Sequence, residues 1–138
     1  MYFFSKRSLD NLEGVHPTLV NLMTLSIKNS PIDFVVVHGV RTVEEQQEHY
    51  AKGRTTSGPI ATNCDGIIKK SEHQPKADGY SHAVDIYPVV DGKVQVNDAA
   101  GLQRISEHIK AVARLNGIKV VWGGDWKIRD YPHFSVIV

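Results

Sequence analysis

Apolar and polar positions follow two periods along this chain. Leu19, Leu22, Met23 and Ile27 recur at helical spacing behind Pro17, and Asn29, Ser30 and Pro31 close the pattern, which predicts a helix over 17–29 with one buried stripe. Ahead of it, Ser8 is placed to cap a short first helix ending near Gly14. The run DFVVVHGV, residues 33–40, is continuously apolar and β-branched and reads as a buried strand. Thr42 and Glu45 then form a capping-box pattern, opening a helix that Gly53 ends.

The second half repeats this grammar. SHAVDIYPVV, residues 81–90, reads as a strand, and DGK at 91–93 supplies a hairpin-type turn into KVQV. Asn97 or Asp98 caps the longest helix, in which Leu102, Ile105, Ile109 and Val112 form a stripe and Gly117 supplies the stop. IKVVW (118–122) and HFSVIV (133–138) are the last strands. The elements add up to an α+β fold, a small mainly antiparallel sheet with helices packed to one side. No repeat or linker divides residues 1–138, so a single domain is expected. Residues 54–80, rich in Gly, Pro, Lys, Asp and Ser, form a loop long enough to suggest function.

Composition removes several function classes. Net charge is +1, from 16 basic and 15 acidic side chains, which argues against a nucleic-acid partner. Cys64 is the single cysteine, so an intramolecular disulfide and a Cys-rich zinc site are both excluded, leaving His and carboxylates as metal ligands. The apolar start covers only Tyr2, Phe3 and Phe4, too short for a secretory signal, and no run approaches the ~18–20 apolar residues that cross a bilayer, so stable membrane insertion is not expected.

Seven histidines remain to be explained. His16, His49 and His108 sit in or beside predicted helices and are expected to be solvated or capping. His38 ends a strand, either as a satisfied core histidine or in support of a site. Three segments carry chemistry. SEHQPKADGYSHAVD (71–85) offers His73, Asp78, His82 and Asp85, and Asp85 is a carboxylate amid apolar strand residues, costly to bury unless paired or metal-bound. In WGGDWKIRDYPHF (122–134), Asp130 and His133 lie three apart, a spacing that can supply a general base and a metal ligand together. Arg41 sits between a strand end and a helix start, where it can stabilise an oxyanion, pair with a substrate carboxylate or form a structural ion pair.

Taken together these segments resemble the zinc peptidases of the D-alanyl-D-alanine carboxypeptidase superfamily, and more closely phage endolysins of the L-alanyl-D-glutamate peptidase type. The likeness spans roughly residues 34–134: G-x-R-[ST] at Gly39–Thr42, YAxGRTxxGxIxT from Tyr50 to Thr62, S-x-H at Ser71–His73, A-x-D at Ala83–Asp85, and WGGDW…DYPHF at 122–126 and 130–134. The resemblance implies a zinc D,D-peptidase/hedgehog-like fold and one Zn²⁺ held by His73, Asp85 and His133. It makes Asp130 the general base and Arg41 the electrophilic helper. Relatives have a shorter S-x-H-x-x-G-x-A-x-D, whereas here QPKADGYSH separates His73 from Ala83, Ser81 replaces the usual glycine, and His82 becomes a competing ligand. His73 is favoured, because His82 and Asp85 would point to opposite faces of an extended strand.

The implied activity is hydrolysis of peptidoglycan peptide stems by a lone catalytic domain without a separate wall-binding domain. The expected setting is a monomer made in the host cytoplasm and admitted to the periplasmic wall by a holin. A D-alanyl-D-alanine carboxypeptidase on the same scaffold, with Arg54, Lys69, Lys70 and Lys76 available to clamp a terminal carboxylate, is the alternative within the enzyme class. A catalytically silent metal-bound interaction module is the alternative outside it.

Overall fold

The computed structural model describes residues 1–138 and carries both periods into three dimensions. The elements are α1 (Lys6–Leu12), α2 (Pro17–Lys28), β1 (Asp33–His38), α3 (Val43–Ala51), β2 (Ala83–Val90), β3 (Lys93–Val94), α4 (Ala99–Leu115), β4 (Lys119–Trp122) and β5 (His133–Ile137), with a 3-10 turn at Gly123–Asp125. The sheet runs β1-β2-β5-β4, antiparallel throughout, and β3 pairs with the end of β2. Asp91 and Gly92 make the β2–β3 turn with φ of 52° and 75°, as a two-residue hairpin of the primed type requires.

Burial alternates along β2, and this decides where chemistry can occur. Val84, Ile86 and Pro88 are buried, while Asp85 and Tyr87 point the other way and are only partly covered. Phe34, Val36, Val84, Ile86, Phe134 and Val136 meet the stripes of α2 and α4, including Leu19, Leu22, Met23, Leu102, Ile105 and Ile109. Each such side chain contributes roughly 1.5–3 kcal/mol by leaving water. One face of the sheet is thereby committed to the core, and the other is free for polar groups.

One expectation needs correction. The cap of α1 is Ser5, whose Oγ accepts the Ser8 amide at 3.3 Å. Ser8 lies inside the helix, fully buried, and its Oγ accepts the Val36 amide at 3.0 Å while Asn11 Nδ2 donates to the Val36 carbonyl at 2.9 Å. Since β1 is an edge strand, α1 satisfies backbone groups that would otherwise be open to another chain. Helix α3 contributes nothing to the core and buries only Gln46. Helices pack on one side in the case of α2 and α4; α3 instead borders the polar side. Its capping box is complete, with Thr42 Oγ1 accepting the Glu45 amide and Glu45 Oε1 accepting the Thr42 amide, both at 3.1 Å.

Candidate active site

The polar face of the sheet gathers the candidate ligands. Asp85 and His133 are directly opposed across the β2–β5 ladder, so both side chains leave the same face. The β1–β2 register slips by one residue between Val36 and His38, which pairs His38 with Asp85 and re-aims its ring. His38 Nδ1 then lies 3.4 Å from Asp85 Oδ2. His73 arrives from the long loop, nearly fully buried, with Nε2 3.3 Å from Asp85 Oδ1. His133 Nδ1 lies 4.0 Å from the same oxygen.

Backbone geometry fixes these rings. His73 Nδ1 is 2.9 Å from the Gly39 carbonyl oxygen, so it carries a proton and donates, which makes Nε2, facing Asp85, the ring atom a metal would take. Gly39 has no alternative residue, because a β-carbon there would run into the Asn11 carbonyl oxygen and sit 2.9 Å from Val15. On the other side, the Gly123 carbonyl accepts the amides of Trp126 at 3.2 Å and Asp130 at 2.9 Å, and the Asp130 carbonyl accepts the His133 amide at 3.2 Å. A β-carbon at Gly123 would collide with that Asp130 carbonyl. The glycine therefore lets the 126–132 turn close and bring Asp130 beside the cleft that His133 lines.

Electrostatics separates the roles of the two aspartates. Burial pushes the Asp85 carboxyl up, but the His73 charge, hydrogen bonds from His38 and His73, and His133 outweigh it and hold Asp85 well below the usual carboxylate range. Burial, with repulsion from Asp85, instead raises Asp130 to about 6 against the pull of His73 and Arg41. Burial and the neighbouring His73 charge lower His133 to about 4, so its imidazole is neutral at pH 7 with a lone pair to give.

These residues suit a zinc ion. Tetrahedral N/O ligands at about 2.0–2.1 Å from zinc stand about 3.3–3.4 Å apart. One ligand atom from each of His73, Asp85 and His133 lies within 4.8 Å of the other two. His133 Nδ1, 4.0 Å from Asp85 Oδ1, makes no hydrogen bond to the protein, so its lone pair is free for a cation held beside Asp85. The donor set is two imidazole nitrogens and one carboxylate oxygen, the chemistry zinc accepts.

A cleft of about 460 Å³ opens over this centre, with residues 61–73 of the long loop along one wall and Trp126, Asp130 and Pro132 opposite. Arg41 reaches into it, its Nη2 3.6 Å from Asp85 Oδ2 and its Nη1 donating to Gln46 Oε1 at 2.8 Å. Sequence reasoning passed over Gln46. It is fully buried, and its Nε2 donates to the Cys64 carbonyl at 2.7 Å, so one amide joins α3, Arg41 and the loop wall. His49, expected to be solvated or capping, instead lines the cleft, lowered to about 4 by burial and by Arg41. Its position one helical turn after Glu45, on a helix without an apolar stripe, was the available signal.

The remaining histidines go elsewhere. His108 Nε2 lies 2.8 Å from the Ser26 carbonyl, tying α4 to α2. His82 turns away from Asp85, with Nε2 2.7 Å from Asp78 Oδ2, and His16 Nε2 lies 3.9 Å from that same oxygen. This second group of two histidines and an aspartate is as close-set as the first. His16 Nδ1, however, accepts the Thr18 amide at 3.1 Å as the cap of α2, which puts the ring proton on Nε2, the atom facing Asp78. That nitrogen has no lone pair for a metal, and the group reads as a hydrogen-bonded clasp.

Comparison with known proteins shows the family. The chain resembles the L-alanyl-D-glutamate peptidase of Escherichia phage T5, 27% identical over 133 residues, covering 96% of this chain and 88% of that protein. It resembles the peptidoglycan L-alanyl-D-glutamate endopeptidase CwlK of Bacillus subtilis, 30% identical over 130 residues, covering 89% of this chain and 74% of that one. The crystal structure of the Serratia marcescens L-Ala D-Glu endopeptidase ChiX matches with a TM-score of 0.76 at 32% identity, over 97% of this chain and 89% of that chain. The model of the phage L-alanyl-D-glutamate peptidases matches residues 1–133, and with the cleft, the sheet and the sequence motifs in agreement, the chain belongs to that family.

Proposed function

We propose that this chain is a zinc-dependent peptidase that hydrolyses the L-alanyl-D-glutamate bond in the peptide stems of bacterial peptidoglycan. The observation that carries the reading is the convergence of His73, Asp85 and His133 beneath a cleft that Asp130 and Arg41 also line, in a member of this family. A zinc ion at this centre would supply Lewis acidity, making a water molecule acidic near neutral pH and polarising the scissile carbonyl.

The chain's own groups do the rest. Asp130, ionised above about pH 6, takes a proton from the attacking water on its carboxylate and passes it to the nitrogen of the leaving amine. Arg41, held by Gln46, offers its guanidinium to the oxygen on which negative charge develops. His73 stays oriented through the Gly39 carbonyl, and His38 steadies the other oxygen of Asp85. The loop wall and Trp126 narrow the cleft around the stem.

The biological setting we propose is phage-driven lysis, with the protein acting as a monomer on the wall; the family and the phage relative support the first part. No helix is long and apolar enough to cross a membrane. The deciding experiment digests purified peptidoglycan with the zinc-loaded protein and identifies new termini by mass spectrometry. New alanine carboxyl and glutamate amino termini are expected. Release of terminal D-alanine alone would instead assign a carboxypeptidase, and no cleavage would favour a silent metal-bound module.

A further inference from the structure

Most cations near the cleft are already engaged. Arg41 is held between Gln46 and Asp85, and its side chain is almost wholly covered. Arg54 stacks 3.8 Å over the Tyr50 ring and donates to the Tyr50 and Thr62 carbonyls at 2.7 and 3.1 Å. Lys76 is paired with Glu72 at 2.6 Å, which also neutralises the acid nearest His73 in sequence. Lys69 and Lys70 differ: both are exposed, both line the cleft, and neither ammonium has an ion-pair or hydrogen-bond partner.

Their backbone is fixed even though their side chains are free. Asp65 Oδ1 accepts the amides of Ile67, Ile68 and Lys69 at 3.0, 2.9 and 3.0 Å, and the Lys69 carbonyl accepts the Gly66 amide at 3.2 Å. The buried Gln74 locks the same turn from beneath, its Nε2 donating to the Gly66 carbonyl at 3.0 Å. Lys70 lies three positions before His73, so their Cα atoms are within about 11 Å, and a lysine side chain spans much of that. Two unpaired cations thus stand on a preorganised turn at the mouth of the centre.

We infer that Lys69 and Lys70 form the subsite for the free carboxylate of the glutamate residue that supplies the leaving amine. The inference rests on the peptidase reading above and deepens it. A glutamate whose amine is acylated by alanine, and one of whose carboxyls continues the stem, keeps its other carboxylate a few bonds from the scissile nitrogen. With Arg41, Arg54 and Lys76 engaged, the lysine pair is the unclaimed positive charge of the cleft. Such a subsite favours glutamate over an uncharged residue after the cut, and accounts for a cationic rim on a chain whose net charge is only +1.

The test uses two synthetic stem peptides containing L-alanyl-D-glutamate, one with the free carboxylate and one with that carboxylate converted to the carboxamide. The zinc-loaded full chain is assayed for kcat/KM on each, as are Lys69→Gln, Lys70→Gln and the double variant, with circular dichroism as a check on folding. A charge-assisted contact discounted for exposure gives a wild-type preference for the carboxylate of roughly tenfold. In the double variant the ratio of the two rates falls to near one, and Lys70→Arg retains most of it. A double variant that keeps the wild-type ratio, or a wild type with no preference, overturns the subsite while leaving the peptidase reading intact. A zinc-loaded wild type that cuts neither peptide overturns both.

Discussion

Two groups of two histidines and one aspartate lie in this chain, one under the cleft and one in the clasp between the 74–82 insertion and the start of α2. By residue type and spread they are alike, with ligand atoms within 4.8 Å in each. Their surroundings make them different chemistries. The Gly39 carbonyl takes the Nδ1 proton of His73 and so frees Nε2 for a metal, whereas the Thr18 amide occupies His16 Nδ1 and so puts the proton on Nε2. Asp85 is sunk among imidazoles and Arg41, while Asp78 is exposed and held below its ordinary value mainly by the Tyr80 amide. A backbone group on the far nitrogen of each ring decides which cluster can bind zinc.

The comparison breaks most directly on metal content. The wild type is expected to hold one zinc per chain, and His73→Ala or Asp85→Ala to lose both zinc and activity. The loss should exceed the roughly 10–100-fold typical of residues that merely support a ligand. His82→Ala should keep its zinc. Elemental analysis and titration calorimetry on folded protein check this, and zinc kept without His73 but lost without His82 would reverse the assignment of the two clusters.

Next in size is the difference between the two cleft aspartates. Asp130→Asn should lower kcat by roughly 10²–10⁴-fold with zinc retained. Asp130 must be ionised to take a proton, and its value is raised to about 6, so activity should fall as pH drops through that value. A bound dication pulls the value down, which places the acid limb at or below pH 6. A limb above pH 7, or one that persists in Asp130→Asn, would remove Asp130 from the role of base.

What the sequence could reveal follows the same division. Elements marked by period and capping were legible, including α2, the capping box of α3, the Asp91–Gly92 turn and the strand carrying Asp85, because those signals are local. The grouping of His73, Asp85, Asp130 and His133 was legible through the family resemblance, since each motif taken alone is a weaker signal. The bulge that aims His38, the burial of Gln46 and the partnership of Ser8 with Val36 were not, since each depends on residues distant in the chain. The ring proton of His16 was equally hidden: its capping role could be foreseen, its consequence for Asp78 could not.

Gln46 tests whether the cleft depends on such hidden contacts. Gln46→Leu leaves the Cys64 carbonyl and one face of Arg41 without partners, a cost of about 1–3 kcal/mol in stability. It should also lower kcat more than it raises KM, with zinc unchanged. Added to Arg41→Ala, it should reduce kcat little further, because the two act through one contact. Full additivity in that cycle would show that Gln46 only holds the loop.

The smallest expected effect isolates the clasp. His16 serves α2 as a cap through Nδ1 and faces Asp78 through Nε2, so its removal mixes two contributions. His16→Ala should cost about 1 kcal/mol, the usual worth of a lost cap. Asparagine caps well, and at this position its shorter side chain can serve the Thr18 amide without reaching Asp78. His16→Asn should therefore recover most of the stability if capping is the main role. Thermal or urea unfolding of the two variants measures the difference, with zinc content and kcat read on the same samples and expected to match the wild type. Were His16→Asn as unstable as His16→Ala, the contact with Asp78 would outweigh the cap. Were added zinc to stabilise the wild type in excess of one ion per chain and fail to do so in His16→Asn, the second cluster would be a metal site after all, and the tautomer argument that separates it from the first would fall.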